Sequence, residues 1–392
     1  MDKIDVGLEG VVVGETAISH VDGERGSLSY RGVDITELVK RPFLQVAWLL
    51  LFGSEPTIRQ EQQLAHFLLA HRSLSAAEQA QLAAIPMETH PMLMLQSMVP
   101  VLDLAPRAEL DVPLGDGDAL TGLIIAARIP TLIAAWYRRR RGLPWPVNSR
   151  RLDPHQALLV ALHDREPTAG AVTALNQAQI LQMEHSYNAG TFAGRVALGT
   201  RTPLPASVSA SIGTLFGPLH GGADQAALEF AAAVGGPERA DAAVAEILAK
   251  GGRVMGIGHR EYRVVDPRAT LLKPMARELC AGDPESARLF ATLEAIEASC
   301  QARLSKPGRE LHANVEFYKG AVFHALGLPG EFFTAMFAMA RVYGYIAHAL
   351  EFMPEARLIR PRARYMGAGQ DGYKGQKKAR LSGLYRDQRN RA

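Results

Sequence analysis

Two histidines lie in glycine-rich turns whose composition is typical of a ligand-binding site. His220 is the histidine of GPLHGGA, and His259 directly follows a Gly-Ile-Gly segment. Glycine lets the backbone turn sharply and pass close to a ligand. The pattern of Ala223–Val234 predicts a helix after the first turn, and a helix start favours neutral imidazole and negatively charged ligands. Capped helix starts with incidental histidines would explain either turn alone, but two such turns favour a site.

Further ionisable groups accompany these turns in the segments Glu184–Asn188 and His312–Tyr318. With His220 and His259, the candidates His185 and Glu316 from these segments give three imidazoles and one carboxylate, which is enough for acid–base chemistry on a carbonyl compound. The three imidazoles could instead form a zinc site, but they lie on separate elements and lack HxxxH spacing, so no metal is expected.

Arginines are frequent in the later part of the chain. A guanidinium group binds a carboxylate through two hydrogen bonds, so several fixed arginines suit a substrate with two or more carboxylates. The alternative is that these arginines form salt bridges at the protein surface. The candidates are Arg268, Arg341, Arg360 and Arg362.

Composition places the chain among ordinary globular proteins. Its 392 residues are 47% apolar and 21% charged, and the length suggests two domains or one large domain with a lobe. A net charge of +3 is too small to indicate nucleic-acid binding. The N-terminus lacks an apolar signal core, and no membrane span is expected. Cys280 and Cys300 are the only cysteines, which fits a reducing cytosol.

The elements that must position these groups are mainly helical. Short strands are predicted only near the N-terminus, at Val11–Val13, Ile18–Val21 and Leu28–Tyr30, and Phe43–Phe52 has the composition of a buried helix. The basic run Arg138–Arg141 is interpreted as a solvated helix end. The predicted fold class is all-α with a small N-terminal β element, which excludes a Rossmann or barrel enzyme.

The chain resembles the citrate synthase family, which includes the 2-methylcitrate synthases. The similarity covers nearly the whole length, and the motifs GPLHGGA and GHRxYxxxDPRA in this order are highly specific. The segments that resemble the family are Gly7–Ile35, Glu184–Val196, Gly217–Ala227, Gly256–Ala269, the NVEFYKG motif with LGLP after it, Ala340–Glu351 and Ile359–Gly367.

The resemblance implies a mostly helical homodimer in the cytoplasm, in which a small domain closes over the substrates. The expected boundaries are 1–217 for the first part of the large domain, 218–325 for the small domain, and 326–392 for the second part of the large domain with a C-terminal arm. The implied activity is an acyltransferase of the tricarboxylic acid cycle, which condenses acetyl-CoA with oxaloacetate to give citrate and CoA. The acyl-CoA is a substrate, and no cofactor is implied.

The resemblance also implies roles for individual residues. His220 matches the histidine that polarises the thioester carbonyl, His259 matches the one that donates to the oxaloacetate carbonyl, and Glu316 stands at the position of the catalytic base. The implied oxaloacetate-binding residues are His185, Arg268 and Arg341, with Arg360 supplied by the partner subunit and Asn188 and Asn314 in support.

Four positions in these motifs depart from the family pattern. The base is Glu316 where aspartate is expected, and a displacement of about one ångström can cost on the order of 100-fold in rate. Ser186 and Gly190 replace a longer residue and a serine, and Lys319 replaces a small residue. If Lys319 reaches Glu316, its charge would weaken the base. Two alternatives therefore stay open: another acyl-CoA specificity, such as propionyl-CoA, or a weakly active ligand-binding paralogue.

Overall fold

The structure is a computed structural model that describes residues 7–8, 10–112, 117–146, 150–259, 261–305 and 311–363. Near the N-terminus, three antiparallel strands form a sheet in the order β1 (Ser19–Asp22), β2 (Ser27–Tyr30) and β3 (Val33–Asp34). The predicted strand at Val11–Val13 is wrong: the segment has no strand pairing among the described residues, and Val12 is 86% exposed.

Helices make up most of the rest, as predicted. The first eight are α1 Ile35–Leu38, α2 Phe43–Phe52, α3 Ile58–His71, α4 Ala76–Ala84, α5 Pro91–Met98, α6 Gly117–Arg140, α7 Pro154–His163 and α8 Ala169–Leu181. The following eight are α9 Ala189–Leu198, α10 Leu204–Leu215, α11 Ala223–Val234, α12 Ala240–Ala249, α13 Pro267–Cys280, α14 Pro284–Leu304, α15 Val315–Ala325 and α16 Phe333–Phe352. Short 3₁₀ turns occur at Val99–Val101, Pro237–Arg239, Gly330–Phe332 and Met353–Glu355. The all-α prediction is therefore confirmed.

The core is built around α16 and α6, which pack against each other. Helix α16 is buried along nearly its whole length. Helix α6 is long and apolar enough to cross a membrane, but 78% of its most apolar window is buried in the fold. It also contains Arg128, which pairs with Glu78 of α4 at 2.5 Å in the interior. These features identify α6 as a core helix.

The basic end of α6 is not the solvated helix terminus that the sequence suggested. The side chain of Arg138 is only 2% exposed and pairs with Asp164 at 2.6 Å. Arg139 donates to the carbonyl oxygens of Leu82 and Ile85 at the end of α4. The run therefore satisfies the free carbonyls of a neighbouring helix, which composition alone does not reveal.

The chain divides into two compact units at Arg357. The first contains all the helices and strands given above. In the second, the described residues 358–363 have no regular secondary structure. The predicted domain boundaries at 217/218 and 325/326 stay predictions.

Candidate active site

His220 lies in the tight turn between α10 and α11. The Thr334 hydroxyl on α16 donates to the Gly221 carbonyl oxygen at 2.9 Å and fixes the turn against the core. A β-carbon at Gly221 would lie 2.5 Å from the Leu215 carbonyl oxygen, so glycine is required there. Helix α11 begins three residues after His220, as the sequence predicted.

The His220 ring is held by a single long side-chain contact. Its Nε2 lies 3.3 Å from Oδ1 of Asn188, and the same oxygen accepts a hydrogen bond from the backbone N–H of Thr191. Because an amide oxygen only accepts, Nε2 must carry the imidazole proton. Burial, followed by the charges of Arg341 and Lys319, lowers the pKa of His220 to about 4. The ring is therefore a neutral donor at neutral pH.

His259 is held more firmly by the turn in which it lies. Gly256 and Gly258 have φ values of 80° and 84°, which favour glycine. The backbone N–H of Glu261 donates to Nδ1 of His259 at 3.0 Å, and that of Tyr262 does so at 3.3 Å. Since Nδ1 accepts, the proton lies on Nε2. Burial and then the charge of Arg268 lower the pKa of His259 to about 4.

The first residues of α15 brace this turn. The Asn314 side chain donates to the Gly258 carbonyl oxygen at 2.8 Å, while its backbone N–H donates to the Gly256 carbonyl at 2.9 Å. The Asn314 Oδ1 also accepts from the backbone N–H of Glu316 at 3.0 Å and so caps the helix. One asparagine therefore ties His259 to the helix that carries the predicted base.

Arg268 lies beside His259 and is oriented by Asp266, the N-cap of α13. Its Nε and Nη2 donate to the two oxygens of Asp266 at 3.0 and 2.8 Å. Its Nη2 also lies 3.3 Å from Nε2 of His259. With the proton on Nε2 this contact joins two donors, and a ligand oxygen that accepts from both would relieve it.

His185 joins the same cluster and lies beyond the end of α8, which stops at Leu181. Its Nε2 lies 3.2 Å from the Tyr262 hydroxyl, and its ring centroid is 5.5 Å from that of His259. Burial, with the nearby Arg268 charge, lowers the pKa of His185 well below its usual range. Sequence reasoning missed Tyr262, although it stands within the GHREY motif.

Arg341 is buried on α16 with unused hydrogen-bonding capacity. Its Nε donates to the Gln182 carbonyl oxygen at 2.9 Å, but its Nη1 has no hydrogen-bond partner among the described residues. Both side-chain polar atoms of Gln182 are also buried without such a partner. Buried polar groups are rarely left unpaired in proteins, so these donors are suited to a ligand carboxylate.

The predicted base, Glu316, is turned inward and not toward bulk solvent, since its side chain is 12% exposed. Its Oε2 accepts a hydrogen bond from Nζ of Lys319 at 2.5 Å, so Lys319 does reach it. Nζ of Lys319 also lies 3.2 Å from Oδ2 of Asp224 on α11 and 3.8 Å from the ring centroid of Phe337 on α16. Asp224 was missed because its helix was assigned by its apolar face, on which it lies.

Shared neighbours place the predicted residues of the first unit in two groups. His185, His259 and Arg268 form one cluster, and Lys319 links Glu316 electrostatically to His220. A cleft of about 430 Å³ opens beside them and is lined by residues that include His259, Tyr262, Asp266 and Asn314. Arg360 belongs to the second unit.

Gly190 explains one of the departures noted in the sequence. A β-carbon there would collide with the hydroxyl oxygen of Tyr345 and would lie 3.1 Å from the Ser211 carbonyl oxygen. The tyrosine therefore occupies the space that a serine side chain would need.

Within the described residues, no group of three or more metal-ligating side chains was found.

Comparison with known proteins agrees with this geometry. The family model for the citrate synthase C-terminal domain matches residues 7–362. Citrate synthase of Synechocystis is 36% identical over 92% of this chain and 90% of its own length. The 2-methylcitrate synthase of Shewanella oneidensis is 32% identical over 92% of this chain and 94% of its own. The solved Thermoplasma acidophilum citrate synthase in ternary complex with carboxymethyl coenzyme A and oxaloacetate superposes with a TM-score of 0.87, at 26% identity over 96% of this chain and 99% of that one.

Fold and site together define an acyltransferase of the condensing type. The chain belongs to the citrate synthase family. This membership confirms the predicted class of reaction, which is condensation of acetyl-CoA with oxaloacetate to citrate and CoA.

Proposed function

We propose that Glu316, His220 and His259 carry out this condensation, with acetyl-CoA as the preferred acyl donor. Glu316 removes a proton from the thioester methyl group while His220 donates a hydrogen bond to the thioester oxygen. The resulting enolate carbon bonds to the ketone carbon of oxaloacetate as its own carbonyl re-forms, and His259 gives its proton to the ketone oxygen. The proton on Glu316 is then released to water, and His259 takes one back from water. Water then cleaves the thioester to release citrate and CoA as the free thiol.

Neutral imidazoles are the observation on which this assignment depends. A thioester α-proton is a very weak acid, so a carboxylate removes it only if the enolate oxygen is stabilised as the proton leaves. Burial lowers the pKa values of His220 and His259 to about 4. The partners of Asn188 Oδ1 and of the backbone N–H groups at Nδ1 of His259 assign the proton of each ring to Nε2. Neutral donors of this kind stabilise developing oxyanions at neutral pH.

The dicarboxylate is assigned to the cationic part of the site. Arg268 and His259 offer two neighbouring donors, and Nη1 of Arg341 has no partner among the described residues. We assign one carboxylate to each arginine, with His185 beside them and Asn188 and Asn314 supporting the two catalytic rings. Arg360 is assigned to the site of a partner subunit in a cytoplasmic homodimer.

A second acyl specificity has specific support, because a 2-methylcitrate synthase is among the relatives at 32% identity. The test is a panel of acetyl-, propionyl- and butyryl-CoA with oxaloacetate, read by the appearance of free thiol. We expect the highest kcat/KM with acetyl-CoA, and a preference for propionyl-CoA would select the alternative.

The residue assignments are tested by Glu316→Ala, His220→Ala and His259→Ala in the same assay. Each should lower thiol release at least about 100-fold, which is typical for removal of one catalytic donor or base. Wild-type rates in any of the three would contradict its role. Oxaloacetate binding by calorimetry without thiol release from any acyl-CoA would identify the wild-type chain as a binding paralogue.

A further inference from the structure

One buried lysine is shared by two carboxylates, one of which belongs to the proposed base, Glu316. The side chain of Lys319 is 1% exposed and that of Asp224 is 0% exposed. The ammonium group donates a hydrogen bond to Glu316 at 2.5 Å, and forms an ion pair with Asp224 at 3.2 Å. Oδ2 of Asp224 has no well-aligned hydrogen bond among the described residues. The directional bond therefore goes to Glu316, and Asp224 acts mainly through its charge.

The packing of α11 against α15 is shaped for this arrangement. A β-carbon at Gly320 would lie 2.9 Å from the Asp224 carbonyl oxygen, so a glycine beside Lys319 permits the helices to approach closely. From the third side, the Phe337 ring on α16 lies 3.8 Å from the ammonium nitrogen. Lys319 thus has little freedom to move.

Such a cluster is a poor means of stabilising a fold. Replacing a buried ion pair by apolar residues is often neutral or stabilising, because burial removes each charge from water. Two carboxylates around one ammonium leave one negative charge in excess. The cluster is more readily explained by its contact with the catalytic carboxylate than by stability.

We propose that Lys319 is a positioning residue that clamps Glu316 through Oε2 and directs Oε1 toward the thioester methyl group, while Asp224 holds and neutralises Lys319. This inference rests on the function proposed above. Glutamate is one methylene longer than aspartate and has an additional rotatable bond. The clamp removes that freedom, and therefore lets the longer acid serve as a base.

The Asp224 charge keeps the clamp from weakening the base. With both carboxylates ionised, the three groups carry a net charge of −1, and proton uptake by Glu316 brings it to zero. If Asp224 were neutral, the same uptake would leave an uncompensated positive charge in a buried site, which is costly. The charged groups that act on Asp224 are Lys319 and Glu316, both on α15, while Arg341 on α16 acts on the nearby His220.

The experiment compares Lys319→Met, Asp224→Asn and the double variant by kcat, KM and thermal unfolding. Lys319→Met should lower kcat on the order of 100-fold with little change in the KM for oxaloacetate, as expected for a misplaced base. The double variant returns the cluster to its wild-type net charge of −1, carried by Glu316, so it should unfold nearer the wild-type temperature than Lys319→Met does and yet stay as slow as Lys319→Met. Recovery of both stability and kcat in the double variant would reduce the cluster to a structural ion pair and overturn the proposal.

Glu316→Asp, made in the wild type and in Lys319→Met, measures the coupling between base and clamp. The shorter acid should lower kcat on the order of 100-fold in the wild type. It should lower kcat little further in Lys319→Met, because the carboxylate is already misplaced there. Equal losses in both backgrounds would contradict the clamp. The matched control is Arg128→Met, which breaks a buried ion pair of similar depth and should lower stability without changing kcat.

One readout does not depend on turnover. A crystal structure of Lys319→Met should show the Glu316 carboxylate displaced by about 1 Å or more, the scale at which alignment fails. An unmoved carboxylate would overturn the clamp even in an active enzyme. If the wild type released no thiol from any acyl-CoA, the proposed function would fail, and the displacement would still decide whether Lys319 positions Glu316.

Discussion

The two histidine turns, at His220 and His259, contain the same kind of group but hold it in different ways. His259 accepts two backbone N–H groups at Nδ1, and Asn314 braces its turn. Among the described residues, His220 has one side-chain hydrogen bond, at 3.3 Å to Asn188, and an edge contact with the Phe337 ring. The His259 turn is thus already set for a ligand, whereas the His220 ring can exchange its single partner for a ligand oxygen. This fits a reaction in which oxaloacetate is bound at a fixed position and the less constrained His220 ring donates a hydrogen bond to the thioester oxygen.

The largest effects should come from removing either ring. His220→Ala and His259→Ala should each lower kcat on the order of 100- to 1,000-fold, as for the loss of an oxyanion donor. The two should differ in binding, however. We expect calorimetry to show weaker oxaloacetate binding for His259→Ala and nearly unchanged binding for His220→Ala. Equal losses in both variants would mean that the two turns do not divide the substrates between them.

Removing Arg341 should affect the two rings unequally. Its charge lowers the pKa of His220 and of His185, whereas Arg268 is the arginine that acts on His259. In Arg341→Met, NMR titration should show the pKa of His220 rising while that of His259 stays unchanged. The KM for oxaloacetate should increase on the order of 100-fold, as for loss of a buried charged contact. A rise in the pKa of both rings would show that the Arg341 charge acts on the whole site and not mainly on His220.

The asparagine supports give a smaller, paired test. Asn188 and Asn314 are both helix N-caps, so each alanine variant should lose about 1 kcal/mol of stability. Asn314→Ala should also lower kcat about 10-fold, because it frees the His259 turn and the start of α15, and displacement of about an ångström is costly. Asn188→Ala should change kcat less. Thermal unfolding and thiol release on the same samples separate the two effects, and a larger kcat loss in Asn188→Ala would reverse the comparison.

The sequence predicted what depends on local pattern. The helix Phe43–Phe52, and the turn before α11, follow from apolar composition and glycine placement. Residue types alone pointed to acid–base chemistry on a carbonyl compound, whereas the individual roles of His220, His259 and Glu316 were implied by the resemblance to a family that the comparisons show.

What it did not predict depends on contacts between distant segments. Asp224 and Lys319 are 95 positions apart and meet only because α11 packs against α15. Tyr262 bonds to a histidine that precedes it by 77 residues. Arg138 was assigned to solvent because a basic run at a helix end gives no sign of the Asp164 carboxylate that it pairs with. In each case the partner is set by tertiary packing.

The smallest effect expected is on the pH dependence of stability, which tests whether the two rings are neutral in the fold. The pKa of each ring is lowered to about 4 from an ordinary value near 6.5. Between these values the unfolded chain binds a proton that the folded chain does not, so stability is complete above about pH 6.5 and is lost as the pH falls toward 4. His259→Gln and His220→Gln remove one titrating ring each. Their unfolding temperatures should therefore fall less than that of the wild type between pH 7 and pH 4.5.

The firmly held His259 turn should respond like a fixed site. The His220 ring should protonate more readily if it can turn toward water. A smaller difference for His220→Gln than for His259→Gln would therefore support the contrast between the turns, and the opposite order would refute it.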